Sequence, residues 1–273
     1  MNDEPDPTRS IELEIEVPGT PEEVWDAIAT GPGISSWYCP MQVEPREGGE
    51  VAMDWGSFGT TAGEVEVWDP PHRFRYRDIG DRPLAYDWLV EARDGGSSVV
   101  RLVNWGFGHG DDWDDQYHGM TDGWKLFLEH LRLRLTHFPN RHASVVSIPT
   151  VSIAGPNERG WATFCEGLGL PLDAAVGDRI ATGGGLPELA GRVEAVMPSP
   201  TRACLLLVDT PMPGTAFVTV EGNGDQVAGS AWLYLHADAD SDGQPPADLA
   251  DVWTSALFER FTPAGMPEAS GAE

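Results

Sequence analysis

The sequence predicts an α+β chain in two similar halves, each an antiparallel sheet followed by a closing helix, and three observations carry that expectation. Residues 62–76 read AGEVEVWDPPHRFRY and residues 190–204 read AGRVEAVMPSPTRAC, so an Ala-Gly-x-Val-Glu start leads into a Pro-containing turn twice. Gly63 and Trp124 are spaced almost as Gly191 and Trp253 are, which keeps two landmarks in register across a whole set of elements. Short runs of strict alternation recur between Gly- and Pro-rich turns, and helical periodicity closes each set.

The elements follow in order. IELEIEV, residues 11–17, puts Ile11, Leu13, Ile15 and Val17 on one face and three glutamates on the other, the period of a half-buried strand. Thr20 caps a helix with Pro21 at its first position and Glu22 and Glu23 near its positive end. TGPGISSWY allows at most one further helical turn, because Pro32 and two glycines interrupt it. Strands are expected at EVAMDWGSF, GEVEVW, RFRYRDI, LAYDWLVEA and SVVRLVNW. Phe74 and Tyr76 oppose Arg73, Arg75 and Arg77, and Tyr86, Trp88 and Val90 oppose Asp87 and Glu91, so one face is covered and the other is wet. The cover is a helix from Met120 to Phe138, where Met120, Trp124, Phe127, Leu128, Leu131 and Leu135 fall at spacings of three and four.

The second half repeats the plan. SVVSIPTVSIAG reads as a strand, PNERGWATFCEGLG as a helix, and strands recur at GRVEAV, ACLLLV, AFVTVE and SAWLYLH before PADLADVWTSALFERF closes as a helix. Pro139 stops the first long helix. The expected division is a first domain over residues 1–141, a second over 142–264 and a disordered tail over 265–273.

Composition narrows the function. Lys and Arg number 17 against 44 Asp and Glu, a formal net charge of −27, which repels nucleic acid and anionic lipid. No stretch approaches the roughly 18 apolar residues of a membrane span, so no membrane insertion is expected. The acidic start, MNDEPDPTRS, has neither a basic nor an apolar leader segment, and the expected location is the cytoplasm. Cys39, Cys165 and Cys204 lie too far apart for a disulfide framework or a zinc motif and read as buried thiols.

Residues 11–137 resemble the helix-grip proteins of the START-like (SRPBCC) superfamily, in the branch related to the C-terminal domain of the activator of Hsp90 ATPase. The residues that carry the resemblance are PEEVWDAI in the first helix, WY soon after it, EGGEV, GEVEVWDPPHRFRY, VNWGF at the end of the last strand and GW opening the long helix. Residues 144–262 match in outline only, without the DPP and GF signatures, and read as a degenerate second copy. The resemblance implies a seven-stranded sheet curved around a long C-terminal helix with a cavity between them. Strand alternation and the helix stripe point Trp55, Tyr76, Tyr86, Trp88 and Trp124 into that interior, with Phe127 beside them and His118 at the mouth.

No catalytic constellation stands out. GHGDDWDDQYHG, residues 108–119, gathers His and carboxylates, yet an Asp-rich stretch before an amphipathic helix is also what a helix N-terminus favours, and no metal is expected there. The triple glycine at Gly183–Gly185 lacks the Lys-Ser/Thr ending of a phosphate loop, Cys165 has no identifiable His partner, and no cofactor is expected. The leading expectation is non-catalytic binding of a small apolar or amphipathic ligand in the first cavity, with a protein partner met through the second domain. A co-chaperone or stress-related regulator of the Hsp90-activator kind is the alternative. The family's co-chaperones carry a separate domain ahead of this one, and the helix-grip unit begins within about ten residues here. A cyclase- or hydrolase-type enzyme using His118 or Tyr86 as acid and base is the third.

Overall fold

The structure, a computed structural model, describes residues 9–56, 59–198, 202–222, 224–237 and 244–263. The tail expected over 265–273 lies outside the described residues. The chain divides into two compact units, the first built from residues up to Trp55 and from Gly59 to His142, the second from Ala143 onward with Gly56 grouped to it. Both contain an antiparallel seven-stranded sheet and helices, the α+β class expected and consistent with two helix-grip domains in tandem.

In the first unit β1 (Ser10–Pro18) leads through a tight turn into α1 (Pro21–Ala29). Thr20 caps that helix with a full capping box: its hydroxyl accepts from the Glu23 N–H, and its own N–H donates to Glu23 Oε2 at 2.9 Å. After α2 (Gly31–Ile34) come β2 (Met41–Val43), β3 (Glu50–Asp54), β4 (Thr60–Asp69), β5 (Arg73–Asp78), β6 (Ala85–Arg93) and β7 (Ser97–Trp105). The chain then enters α3 (Asp111–His137). The strand order β1-β7-β6-β5-β4-β3-β2 is a meander whose first strand returns to pair with the last.

Two differences from the sequence reading have physical causes. Strand β2 is only three residues long and pairs with β3, too short to show a period. Helix α3 begins at Asp111 rather than Met120. Gly119 and Gly123 blur the apolar stripe in its first half, but both face open space, and the Asp114 carboxylate in the first turn suits the positive end of the helix. The buried stripe of α3 includes Trp124, Leu128, Leu131 and Leu135, packed against the inner face of the sheet.

The second unit runs β8 (Ser144–Ala154), α4 (Asn157–Leu168), β9 (Arg179–Ala181), β10 (Ala190–Met197), β11 (Arg202–Thr210), β12 (Gly214–Glu221), β13 (Gln226–Leu235), α5 (Leu249–Phe258) and β14 (Thr262–Pro263). Its sheet order is β14-β8-β13-β12-β11-β10-β9. Six strands occupy the same relative positions as in the first sheet; among the described residues β2 has no counterpart, and β14 is added at the opposite edge beside β8. The closing helix α5 has 10 residues against 27 in α3, so the long C-terminal helix expected for the second copy is a short one. The chain beyond it turns back into the sheet at Thr262.

The repeated Ala-Gly step has a structural reason in both units. A side chain at Gly63 would press on the carbonyl oxygen of Arg77, and one at Gly191 on that of Leu207. Both glycines lie just ahead of an irregularity in the pairing of their strand. Trp124 and Trp253, the other pair of landmarks, are buried in their respective cores.

Trp124 is 2% exposed, whereas Lys125 next to it is exposed and pairs with Asp122 one turn back at 3.0 Å. In urea melts Trp124→Ala is expected to cost about 3–5 kcal/mol and Lys125→Ala no more than about 0.5 kcal/mol. Equal costs would mean that α3 packs by another face.

Candidate functional site

The interior of the first unit is built where the inner faces of β3–β7 meet α3 and the segment that follows α2. Alternation places Phe74, Tyr76 and Asp78 of β5 on the inner face, beside Tyr86 and Trp88 of β6. Tyr76 and Tyr86 are direct cross-strand partners, and their rings stack at 4.7 Å. Trp88 meets Trp124 of α3 edge to face at 5.4 Å and Trp37 at 5.8 Å. Tyr38 stacks on Trp124 at 4.9 Å and meets Trp55 and Phe127 edge on, at 5.5 and 4.7 Å.

Six of the seven expected site residues therefore join one ring network: Trp55, Tyr76, Tyr86, Trp88, Trp124 and Phe127. Tyr76, Tyr86, Trp88 and Trp124 are buried, and Trp55 and Phe127 are half-buried at its margin. His118 stands apart. It is exposed on α3, with its ring against Tyr117 at 5.6 Å. The Asp-rich stretch around it forms the first turns of α3, where Asp114 pairs with Arg9 at 2.5 Å. Among the described residues no three His, Cys, Asp or Glu side chains gather as a metal site would require.

Polar atoms are set among these rings. Tyr86 donates its hydroxyl to Asp78 Oδ2 at 3.2 Å, while Asp78 Oδ1 is buried without a hydrogen-bond partner. Burial pushes the Asp78 carboxyl from its ordinary 3.8 up to about 6, against the opposing effects of the Tyr86 hydroxyl and the backbone at Leu84. Burial likewise raises the Tyr38, Tyr76 and Tyr86 hydroxyls well above their ordinary range and the Cys39 thiol with them, so all four stay protonated at neutral pH. The Trp88 indole N–H is buried without a partner. Trp124, in contrast, donates to Asn104 Oδ1 at 3.3 Å, and Asn104 Nδ2 donates to the Ala85 carbonyl at 3.0 Å, which ties α3 to β6 and β7. His130 Nδ1 lies 2.8 Å from the Trp37 carbonyl. Burial lowers this imidazole to about 3, so it is neutral and its Nδ1–H donates to that carbonyl.

Chemically, the interior combines an aromatic wall with a carboxyl that titrates near neutrality and a phenol bonded to it, a pair able to hold or pass a proton. Asp78, Asn104, Tyr38 and Trp37 are absent from the expected set. The signal for two of them was present: Asp78 continues the inward alternation of Phe74 and Tyr76, and Asn104 that of Val100 and Leu102.

Residues 18–136 match the family model of the Activator of Hsp90 ATPase homolog 1-like protein, a match that falls on the first unit and agrees with the resemblance carried by its motifs. Among solved structures, the chain is similar to DynU16, a protein in the dynemicin biosynthetic locus, at 16% identity over 92% of this chain and 97% of that one, with a TM-score of 0.43. It is similar to the Aha1 dimer from Colwellia psychrerythraea at 17% identity over 47% and 96%, with a TM-score of 0.41. An HSP90 activator from Plasmodium falciparum gives 17% over 46% and 96%, with a TM-score of 0.39. No curated protein matches the chain. No helix among the described residues is long and apolar enough to cross a membrane.

Asp78 and His130 give stability opposite dependences on pH. The raised Asp78 value means the folded state binds its proton more tightly than the unfolded chain, so this group's contribution is full below about 4 and is lost as pH rises to about 6. The lowered His130 value works the other way, with a contribution that is full above 6.5 and is lost as pH falls toward about 3. Asp78→Asn is therefore expected to gain stability relative to the parent as pH rises from 4 to 7, by about 1–2 kcal/mol after solvent screening. Urea melts at stepped pH check this, and a difference independent of pH would contradict the burial of the carboxyl.

Proposed function

We propose that the first unit is a binding module that holds one small amphipathic ligand between its sheet and α3, without chemistry at the ligand. The observation that carries this reading is the pair of buried, unpartnered polar atoms, Asp78 Oδ1 and the Trp88 N–H, within an aromatic interior. A core that only packs loses stability for each such atom, about 1–3 kcal/mol. A ligand that donates to Asp78 and accepts from Trp88 satisfies both, while its apolar part lies on the rings of Tyr76, Tyr86 and Trp124. Tyr38, flanked by the half-buried Trp55 and Phe127, is the ring that moves to admit it. The second unit acts as a docking or stabilising partner, and the strongly acidic surface suits a protein partner rather than nucleic acid.

An apolar fluorescent probe is expected to saturate at one site in the first unit and to quench tryptophan emission. Tyr86→Ala and Trp88→Ala should alter its affinity. Arg75→Ala should not, because Arg75 lies on the outer face, paired with Glu66 at 2.6 Å and set over the Trp105 ring. Equal effects from both faces, or no saturation, would make the aromatic cluster plain packing.

A second reading, an Hsp90-activating co-chaperone, is favoured by the family match over residues 18–136. It demands that the protein raise the ATPase rate of an Hsp90 from the same source. On the binding-module reading no stimulation is expected, and a several-fold, saturable rise would reverse the order of the two.

A further inference from the structure

The two units differ at one corner where their topology is the same. In the first, Trp25 of α1 meets the cross-strand pair Trp68 and Phe74 of the β4–β5 hairpin, with ring centroids 5.1 and 6.5 Å away, so three aromatic rings fill the space between helix and hairpin. In the second unit α4 presents Trp161 from its equivalent place, and the β10–β11 hairpin presents the cross-strand pair Val196 and Cys204. An indole has become an isopropyl group and a phenyl ring a thiol. The space left is a recess of about 70 Å³ between Trp161, Val196 and Cys204, continued by Cys165 and Leu170.

The recess has an apolar mouth and one charge. Leu172 and Val196, among the few large apolar side chains that this chain exposes, stand at its rim at 56% and 44% exposure. Arg202 is the single charged residue in its wall, in a chain where acidic residues outnumber basic ones by more than two to one. Among the described residues the guanidinium is incompletely used: Nε is buried without a hydrogen-bond partner, and Nη2 has its ion pair with the exposed Glu158 at a long 3.6 Å. Neither thiol supplies a negative charge, since burial pushes Cys165 and Cys204 up to about 12 each.

From this geometry we infer a second binding site, specific to the second unit, that takes a short branched-chain carboxylate. The carboxylate lies on the Nε and Nη2 fork of Arg202, displacing the long contact to Glu158, and the branched tail enters the recess against Trp161, Val196 and Cys204. A bidentate guanidinium-carboxylate pair sets the anionic class. The volume sets the tail, since about 70 Å³ is several times what one water needs and about half of a cavity that holds benzene. A long acyl chain does not fit. This inference is independent of the ligand proposed for the first unit, because it uses no residue of that unit.

The test uses the full chain and two isosteric probes, 3-methylbutanoate and 3-methylbutan-1-ol, followed by the indole N–H resonance of Trp161 in ¹H–¹⁵N spectra. The acid is expected to shift that resonance saturably in the millimolar range, and the alcohol to bind about tenfold or more weakly. Arg202→Gln should abolish the preference for the acid while leaving the weak binding of the alcohol. Ala174→Phe, which builds a ring into the wall, should remove both. If a variant does not fold, the parent protein still decides, because the preference for the acid must shrink as salt is raised. Absence of a saturable Trp161 shift, equal affinity for the two probes, a preference insensitive to salt, or a preference that survives Arg202→Gln would each overturn the inference.

Discussion

The first unit depends on one indole. Trp124 is stacked by Tyr38, met edge on by Trp88 and Phe127, and hydrogen-bonded through its N–H to Asn104. A helix on a sheet has many near-equivalent placements if apolar contact alone holds it, since that contact is not directional. The bond to Asn104, itself held by the Ala85 carbonyl, selects one placement of α3 over β6 and β7. Trp253 occupies the corresponding landmark in the second unit, yet its indole N–H is buried without a partner, and the helix that carries it is much shorter.

The same arrangement gives the interior its character. Once α3 and the Trp37–Tyr38 segment are set, the aromatic side chains of β5 and β6 have no exit to water, and the polar atoms among them lose their solvent. That is why a carboxylate two residues after Tyr76 titrates near 6, and why the tyrosines beside it stay protonated. Asp87 shows the contrast. It lies on the outer face of the same sheet and, although little exposed, is met by both Nε and Nη2 of Arg73 at 2.9 and 2.7 Å. Burial with a bidentate guanidinium partner and burial without one are different conditions, and only the second leaves a carboxylate oxygen without a hydrogen bond.

The two units also illustrate how one topology accommodates different contents. Six strands keep their relative order, and the hairpin glycine keeps its close approach to the neighbouring strand. Side chains that fill a corner in one unit are small in the other, and a positive charge stands at the resulting opening. Backbone constraints persist because the sheet fails without them, whereas packing at a corner tolerates exchange as long as the main core stays intact.

By itself the sequence determined the class of fold, the strands longer than about five residues, the cap of α1 and the inward set of aromatic residues. Each of these rests on periodicity or on contacts within a few positions of the chain. It also held the alternation that carries Asp78 and Asn104 inward, a signal weakened because polar residues are usually read as the wet face. Only the tertiary structure decided that Tyr38 packs on Trp124, that Asp78 keeps one oxygen unpartnered, that His118 faces water and that the second unit has an opening where the first has rings. These depend on which side chains from distant segments share a volume. A linear pattern fixes direction from the backbone, but not what stands opposite.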